Sequence, residues 1–284
     1  MPACGSALTA GRRHSVGRRR DGTVVAVGDG AAGECQVRLW ADVVAVAAGN
    51  VHTAPNTGRS HTIGLRSDGT VLATGWNGDG QCDVGTWRGV VAVAGGWRRT
   101  LGLLRDGTVL AAGRRSEGQC DVQGWRDMVA LSCGDWHSVG LRADGAALAV
   151  GNNRRGQCDV AEWRDLIDVA AGSLHTVGLR SDGRVVSAGA RAAGACAVVD
   201  GWEEVVAVAA GSHHTVGLTA SGGVVAAGDD GHGQCDVAQW RDIVEVSAGS
   251  AHTLGLRADG TVVSAGNNAD RQCAVESWSG IRAA

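Results

Sequence analysis

Gly172-Ser173-Leu174-His175-Thr176-Val177-Gly178-Leu179-Arg180-Ser181-Asp182-Gly183-Arg184-Val185-Val186-Ser187-Ala188-Gly189 is the clearest copy of a phrase that this chain writes seven times. Two runs with apolar and β-branched residues flank Asp182-Gly183. Asp-Gly between such runs is a strong hairpin signal, because a type I′ turn needs the positive φ that glycine adopts freely. Working outward, each copy continues into a phrase such as Gly156-Gln157-Cys158-Asp159-Val160, then a Trp, then an apolar run such as Ile243-Val244-Glu245-Val246-Ser247-Ala248.

The register holds along the whole chain. The turn pair begins at Asp21, Asp68, Asp106, Asp144, Asp182, Ser221 and Asp259, in steps of 47, 38, 38, 38, 39 and 38 residues. A cysteine column (Cys35, Cys82, Cys120, Cys158, Cys196, Cys235, Cys273) and a tryptophan column (Trp40, Trp87, Trp125, Trp163, Trp202, Trp240, Trp278) keep the same steps. The long first step is an insertion at 51–60, where His52-Thr53 is repeated as His61-Thr62. A fixed period of this size marks a repeat architecture.

Four short strands per unit of about 40 residues is the arithmetic of a propeller blade. The expected fold is therefore all-β: a seven-bladed β-propeller of four-stranded blades, forming one domain over 1–284. The fourth strand is expected around Cys273-Ala274-Val275. The run that shrinks to Ala, Gly and Ser suits the crowded innermost strand. Units begin near Gly11, Gly58, Gly96, Gly134, Gly172, Gly211 and Gly249, and the next would fall past the end. The ring is expected to close by pairing of the N- and C-terminal segments, hiding both sheet edges. Residues 281–284 and 7–10 compete for that slot. Arg18 stands where other copies carry Leu, which makes the first unit the weakest.

Composition narrows the function. The chain has 284 residues, a net charge of -3, ten Trp and no Phe or Tyr. Near-neutral charge argues against a nucleic-acid partner, although Arg12, Arg13, Arg18, Arg19 and Arg20 cluster near the start. No apolar run reaches membrane-spanning length, and no signal-peptide pattern opens the chain. One Cys per repeat is a packing pattern and not a disulfide framework. These features lead to the expectation of a cytoplasmic monomer with free thiols.

The phrases His-Thr-x-Gly-Leu-x-x-Asp-Gly-x-Val and Gly-x-Asn-x-x-Gly-Gln resemble the repeats of the regulator of chromosome condensation family, from Gly11 to the end of the chain. The resemblance implies seven-bladed propellers. Its namesake is a guanine-nucleotide exchange factor for a small GTPase that also docks on chromatin, using a wedge that units two to seven here are too regular to hold. The repeat length is also similar to that of the propeller-type β-lactamase inhibitor protein, which grips its target with aromatic residues on one face. Most of those positions are not aromatic here.

What the copies share is scaffold. The His column (His14, His61, His137, His175, His214, His252, with Arg99 in the third unit) is expected to bond backbone within blades. The Cys column is expected to act as small buried hydrophobes, and the Trp column to pack between blades. The Arg-Asp after the Trp is expected to form a local ion pair. Function is sought where copies differ. Trp97 and Trp136 fall just after the repeat glycine, and Trp76 lies in the Asn-Gly loop of the preceding unit. If these slots open on one face, as the resemblance implies, units two to four share an aromatic patch. Arg98, Arg99, Arg114, Arg115, Arg154 and Arg155 flank it. Trp and Arg are the residues most enriched at binding hot spots. Unit six offers His213, Asp229, Asp230 and His232 as an acidic counterpart.

The expected function is a non-enzymatic module that binds a protein or peptide partner through one face, with no cofactor and no metal. An exchange-factor-like regulator of a small GTPase is the alternative. An enzyme or small-ligand binder using the axial pocket comes third, since no nucleophile-base set or phosphate cradle is recognisable.

Overall fold

The computed structural model describes residues 6–49, 59–190, 195–196 and 199–282. Their strands form seven antiparallel sheets of three, each paired in chain order. The first sheet is β1–β3 (Leu8–Ala10, His14–Arg18, Val24–Gly28) and the second β4–β6 (Val43–Ala48, His61–Arg66, Val71–Gly75). The third is β7–β9 (Val90–Gly96, Arg99–Leu104, Val109–Gly113) and the fourth β10–β12 (Met128–Cys133, His137–Arg142, Ala147–Gly151). Next come β13–β15 (Leu166–Ala171, His175–Arg180, Val185–Gly189) and β16–β18 (Val205–Ala210, His214–Thr219, Val224–Gly228). The seventh is β19–β21 (Ile243–Ala248, His252–Arg257, Val262–Gly266).

The first strands of all seven sheets line one cavity of about 250 Å³, with Thr9, Ala47, Ala94, Ser132, Ala170, Ala209 and Ser247 among its walls. Small side chains there let seven strands crowd round one axis. Middle strands are buried almost throughout. Third strands keep one buried residue followed by half-buried ones.

Each hydrophobic core lies between neighbouring sheets. Val139 and Leu141 of β11 pack with Val160, Trp163, Leu166 and Val169, which belong to the turn after β12 and to β13. The same arrangement joins the ends of the chain: Leu8 packs with Leu254, Val275, Trp278 and Ile281. Ile281 forms an antiparallel bridge with Arg19. The Arg18 guanidinium, buried where other copies bury Leu, donates to the Arg282 carbonyl at 2.6 Å.

Four expectations are corrected by the fold. Among the described residues each sheet has three strands, and the segment expected to be the fourth, as at Cys273-Ala274-Val275, lies in turns and bends. Its backbone is held by side chains: Asn153 Oδ1 accepts from the Cys158 amide at 2.8 Å, and Asn153 Nδ2 donates to Asp159 at 2.7 Å. A strand ladder is not needed to satisfy it. The second unit begins at Gly49. Its amide donates to the His61 carbonyl at 2.9 Å, as Gly172 does to His175, while Gly58 lies outside the described residues. The hairpin is a three-residue loop with only the glycine left-handed (Gly183, φ +82°), the type I turn with a bulge instead of type I′. Asp182 accepts from the Arg184 amide at 3.0 Å. Finally, among the described residues no ion pair joins the Arg to the Asp after it at Arg126-Asp127, Arg164-Asp165 or Arg241-Asp242. Arg164 donates to the carbonyls of Ala161 and Trp163, and the Asp beside it adopts φ near +60°.

Candidate functional site

Two shared columns hold the blades together. Each column Trp lies over the glycine of the next middle strand. A Cβ on Gly178 would stand 3.0 Å from the Trp163 ring, and one on Gly17 would stand 2.9 Å from Trp278. The glycine in His-Thr-x-Gly-Leu therefore makes room for an indole. The His column bonds between blades, not within them. His175 Nε2 reaches Thr215 Oγ1 at 3.1 Å, His214 reaches Thr253 at 3.0 Å, and His252 of the last sheet reaches Ser15 of the first at 3.0 Å. Thr215, Thr253 and Ser15 each spend their hydroxyl proton on a backbone carbonyl. The hydroxyl oxygen must then accept, so each imidazole donates from Nε2. Burial lowers the six imidazoles to pKa values of about 3 or about 4.

Arg99 is the third blade's member of this belt. It is fully buried. Its guanidinium donates to Ser138 Oγ at 2.9 Å, to the carbonyls of Asp135 (2.9 Å) and Gly134 (3.0 Å), and to that of His137. It is withdrawn from the set of partner-binding residues: the side chain that was expected on the surface replaces a scaffold histidine.

The pairing of His137 with Gly151 and of Arg99 with Gly113 brings the loop before each middle strand beside the loop after each third strand. Trp97, Arg98 and Trp136 come from the first kind of loop; Trp76, Arg114, Arg115 and Arg154 come from the second. They share one face. Across three blades they form one contiguous stack of three indoles and two guanidinium groups. The Arg98 guanidinium lies 4.4 Å from the Trp76 ring centroid and 4.8 Å from that of Trp97. Arg114 lies 4.6 Å from Trp97 and 5.2 Å from Trp136. Trp97 and Trp136 meet edge to face, centroids 4.2 Å apart. Cation–π contacts of this kind are worth about 0.5–2 kcal/mol each.

Burial grades the stack. Trp97 is buried, while Trp76, Arg98, Arg114 and Trp136 are half-buried. Arg115, Arg154 and Arg155 are exposed at its edge. Arg98 sits 3.5 Å from Asp79, and Arg114 Nε donates to Ser116 at 2.7 Å. Asp79, and Glu117, which accepts from Asn152 at 3.0 Å, are polar members that sequence reading passed over; they lie in the same loops as the expected residues. Trp97 and Trp136 are one register step apart: Trp97 matches Asp135 and Ser173, whereas Trp136 matches Arg98 and Leu174. Arg98 has φ +61°, a left-handed conformation that costs about 1–2 kcal/mol without glycine. That strain aims its side chain between two indoles.

In the sixth blade, Asp229 and Asp230 hold their own loop. Asp230 accepts from the Cys235 amide at 2.8 Å, in the place Asn153 takes two blades earlier, and Asp229 accepts from Gln234 at 3.0 Å. Among the described residues no three His, Cys, Asp or Glu side chains cluster as metal ligands. No helix among them is long and apolar enough to cross a membrane.

A profile of the Regulator of chromosome condensation (RCC1) repeat matches residues 56–81, 90–119, 128–157, 166–190, 205–234 and 243–272. No curated protein sequence matches significantly. Solved structures align over most of the chain. Yeast RCC1 (Prp20), in a crystal structure with Kap60 bound, is 18% identical over 98% of this chain and 84% of its own, with a TM-score of 0.70. Human WBSCR16 is 17% identical over 88% of this chain and 85% of its own, with a TM-score of 0.71. The CRINKLY WD40 ectodomain of the Arabidopsis thaliana receptor kinase ACR4 is 21% identical over 79% and 85%, with a TM-score of 0.63. At such identities the likeness speaks for the fold.

Proposed function

The chain belongs to the regulator of chromosome condensation repeat family, and from that premise we propose that it is a non-catalytic interaction module docking a protein or peptide on the face of Trp76, Arg98, Arg114 and Trp136. The observation that carries this reading is the stack itself. All seven copies share the Trp column and six share the His column that hold the blades together, and three adjacent copies depart together, in surface loops, toward Trp and Arg. Half-buried aromatic and guanidinium groups are the usual anchors of protein interfaces. Arg115 and Arg154 belong to the rim.

The exchange-factor reading stands second. It draws on the yeast relative Prp20p, whose structure is described with its binding properties to Gsp1p and histones. It also draws on fold, which does not carry function by itself. The proposal further takes 1–284 as one monomeric, cytoplasmic domain whose ring closes through its terminal segments. The Arg19–Ile281 bridge and the core shared by Leu8 and Trp278 support that closure.

The test is affinity capture from source-cell extract, with wild type beside a Trp76→Ala, Trp136→Ala variant that keeps the native circular dichroism and melting temperature. A partner retained by wild type and lost by the variant supports the reading. A partner held equally by both places the interface elsewhere.

A further inference from the structure

Resting on that proposed interface, we infer that its partner is an acidic peptide segment, recognised through carboxylates on alternate residues. The stack limits what a ligand can reach. Indole faces are spent on guanidinium groups: Trp97 has Arg98 and Arg114 within 5 Å of its centroid and Trp136 edge-on beside it. Trp97 therefore offers no open face to a ligand cation or a nucleobase.

Each guanidinium group is flanked by two indole rings, its carbon 4.4–5.2 Å from their centroids. What a flanked guanidinium still offers is its rim of N–H donors, which lies in its own plane. Five donors in a rigid fork match a carboxylate two bonds at a time. Arg114 spends Nε on Ser116, leaving its terminal nitrogens. Arg98 meets Asp79 at 3.5 Å, long for a charge-assisted bond and open to exchange for a better-placed carboxylate. Stacking also holds each long side chain in place before binding, which lowers the entropy cost of capture.

Charge agrees with this. Arg115, Arg154 and Arg155 are exposed beside the stack and extend the positive field. Asp79 and Glu117 lie within the patch, so a continuous polyphosphate backbone would meet them, whereas a peptide can place neutral residues opposite. Spacing is the sharper constraint. Both guanidinium carbons lie within 4.8 Å of the Trp97 centroid, which keeps them less than 10 Å apart. In an extended peptide, side chains two residues apart point the same way about 7 Å from one another. An acid-x-acid pattern fits within that ceiling, whereas adjacent acids on an extended strand point to opposite sides.

The experiment is a fluorescence-anisotropy titration of the whole chain against a labelled peptide of alternating Glu and Gly. The controls are the same peptide with Gln for Glu, one with the same number of Glu in a block, and a labelled single-stranded oligouridylate. The alternating acidic peptide should bind best, and weaken about tenfold between low and physiological salt. Arg114→Gln, which keeps the aliphatic stem, should weaken it about tenfold by removing one charged fork. Equal binding of the Gln peptide, no loss in Arg114→Gln, or tighter binding of the oligonucleotide would overturn the inference. If a captured partner depends on Trp76 and Trp136 while the acidic peptide does not bind, the interface stands and the carboxylate chemistry falls. If captured partners ignore those residues and the peptide binds without regard to Arg114, both fall.

Discussion

The neutral histidine belt makes acid the sharpest perturbation of this fold. Six imidazoles, His14, His61, His137, His175, His214 and His252, are buried and held at pKa values of about 3 or about 4, against the ordinary 6.5. Unfolding frees each to take a proton at the ordinary value. Because the folded values are depressed, their contribution is fully present above about pH 6.5 and is lost progressively as pH falls below it. At pH 5.5 keeping one imidazole neutral costs roughly 1 kcal/mol or slightly more, and keeping six neutral costs on the order of 8 kcal/mol. That rivals the whole stability of an ordinary domain.

Buried carboxylates work the other way. Asp168, pushed up to about 6 by burial, keeps its proton in the native state between about pH 6 and its ordinary 3.8, and so adds stability as pH falls through that window. Glu34 and Glu245 are raised by burial in the same direction. The expected net uptake on unfolding near pH 5.5 is therefore about three to five protons. Urea unfolding curves from pH 7.5 to 5.0, followed by tryptophan fluorescence, give this number as the slope of stability against pH. His175→Gln, whose amide can still donate to Thr215, should lower the uptake by about one. A urea midpoint unmoved between pH 7.5 and 5.5 would refute the neutral belt.

Other consequences follow from the shared columns. Gly178→Ala sets a Cβ 3.0 Å from the Trp163 ring and 2.9 Å from Leu166. It should cost about 1–3 kcal/mol in chemical denaturation, as overpacked sites do. Column thiols should be sluggish in the native state: burial pushes Cys82 and Cys158 up to about 11, and Cys35 and Cys235 up to about 12. Alkylation by iodoacetamide at pH 8 should run about tenfold or more slower than in urea, since the thiolate is the reacting form; equal rates would show that these thiols are not buried.

Sequence legibility followed the repeat. The seven units, the hairpin after each middle strand and the small-residue inner strand could be read from Gly172 to Gly189 and its copies, because local pattern specifies local structure. What joins one unit to the next could be read only in part. The Trp column reads as packing between blades, and Trp163 covers Gly178 of the following blade. The His column reads as internal to each blade, and nothing in its period says that His175 reaches Thr215 forty residues on. The bulge is similar. Register slips between Leu166 and Asp168 in β13, and between the matching residues of the other inner strands except β1. It turns Ile167, Val206 and Val244 outward in strands that read as apolar runs. At the candidate site the exceptions Trp76, Trp97, Trp136, Arg98 and Arg114 were legible as departures. Arg99 looked like one of them and is not, because burial separates neighbours that sequence lists side by side.

The third blade's exceptions are one linked change. In ordinary blades the residue after the repeat glycine steps across to its neighbour: the amides of Asp135, Ser212 and Ser250 donate to the carbonyls of Gly172, Gly249 and Gly11. The carbonyl of Gly134 is met instead by the Arg99 guanidinium at 3.0 Å. With that carbonyl satisfied from a side chain, β7 and β8 pair as far as Gly96 and Arg99, and the loop between them is only Trp97 and Arg98. Arg98 takes the left-handed turn that such a short loop demands. A buried arginine thus frees the loop that carries the stack. The linkage predicts non-additivity. Arg99→His alone should be costly, because it strips donors from buried carbonyls while the short loop remains. Trp97→Ser alone removes the centre of the stack. Together they restore the common phrase, and the double variant should recover about 1–2 kcal/mol over the sum of the singles. It should be as stable as its neighbours' pattern allows and bind no acidic peptide. Strict additivity in urea unfolding would mean that Arg99 and the Trp97 loop are independent, and that the buried cation has nothing to do with the face above it.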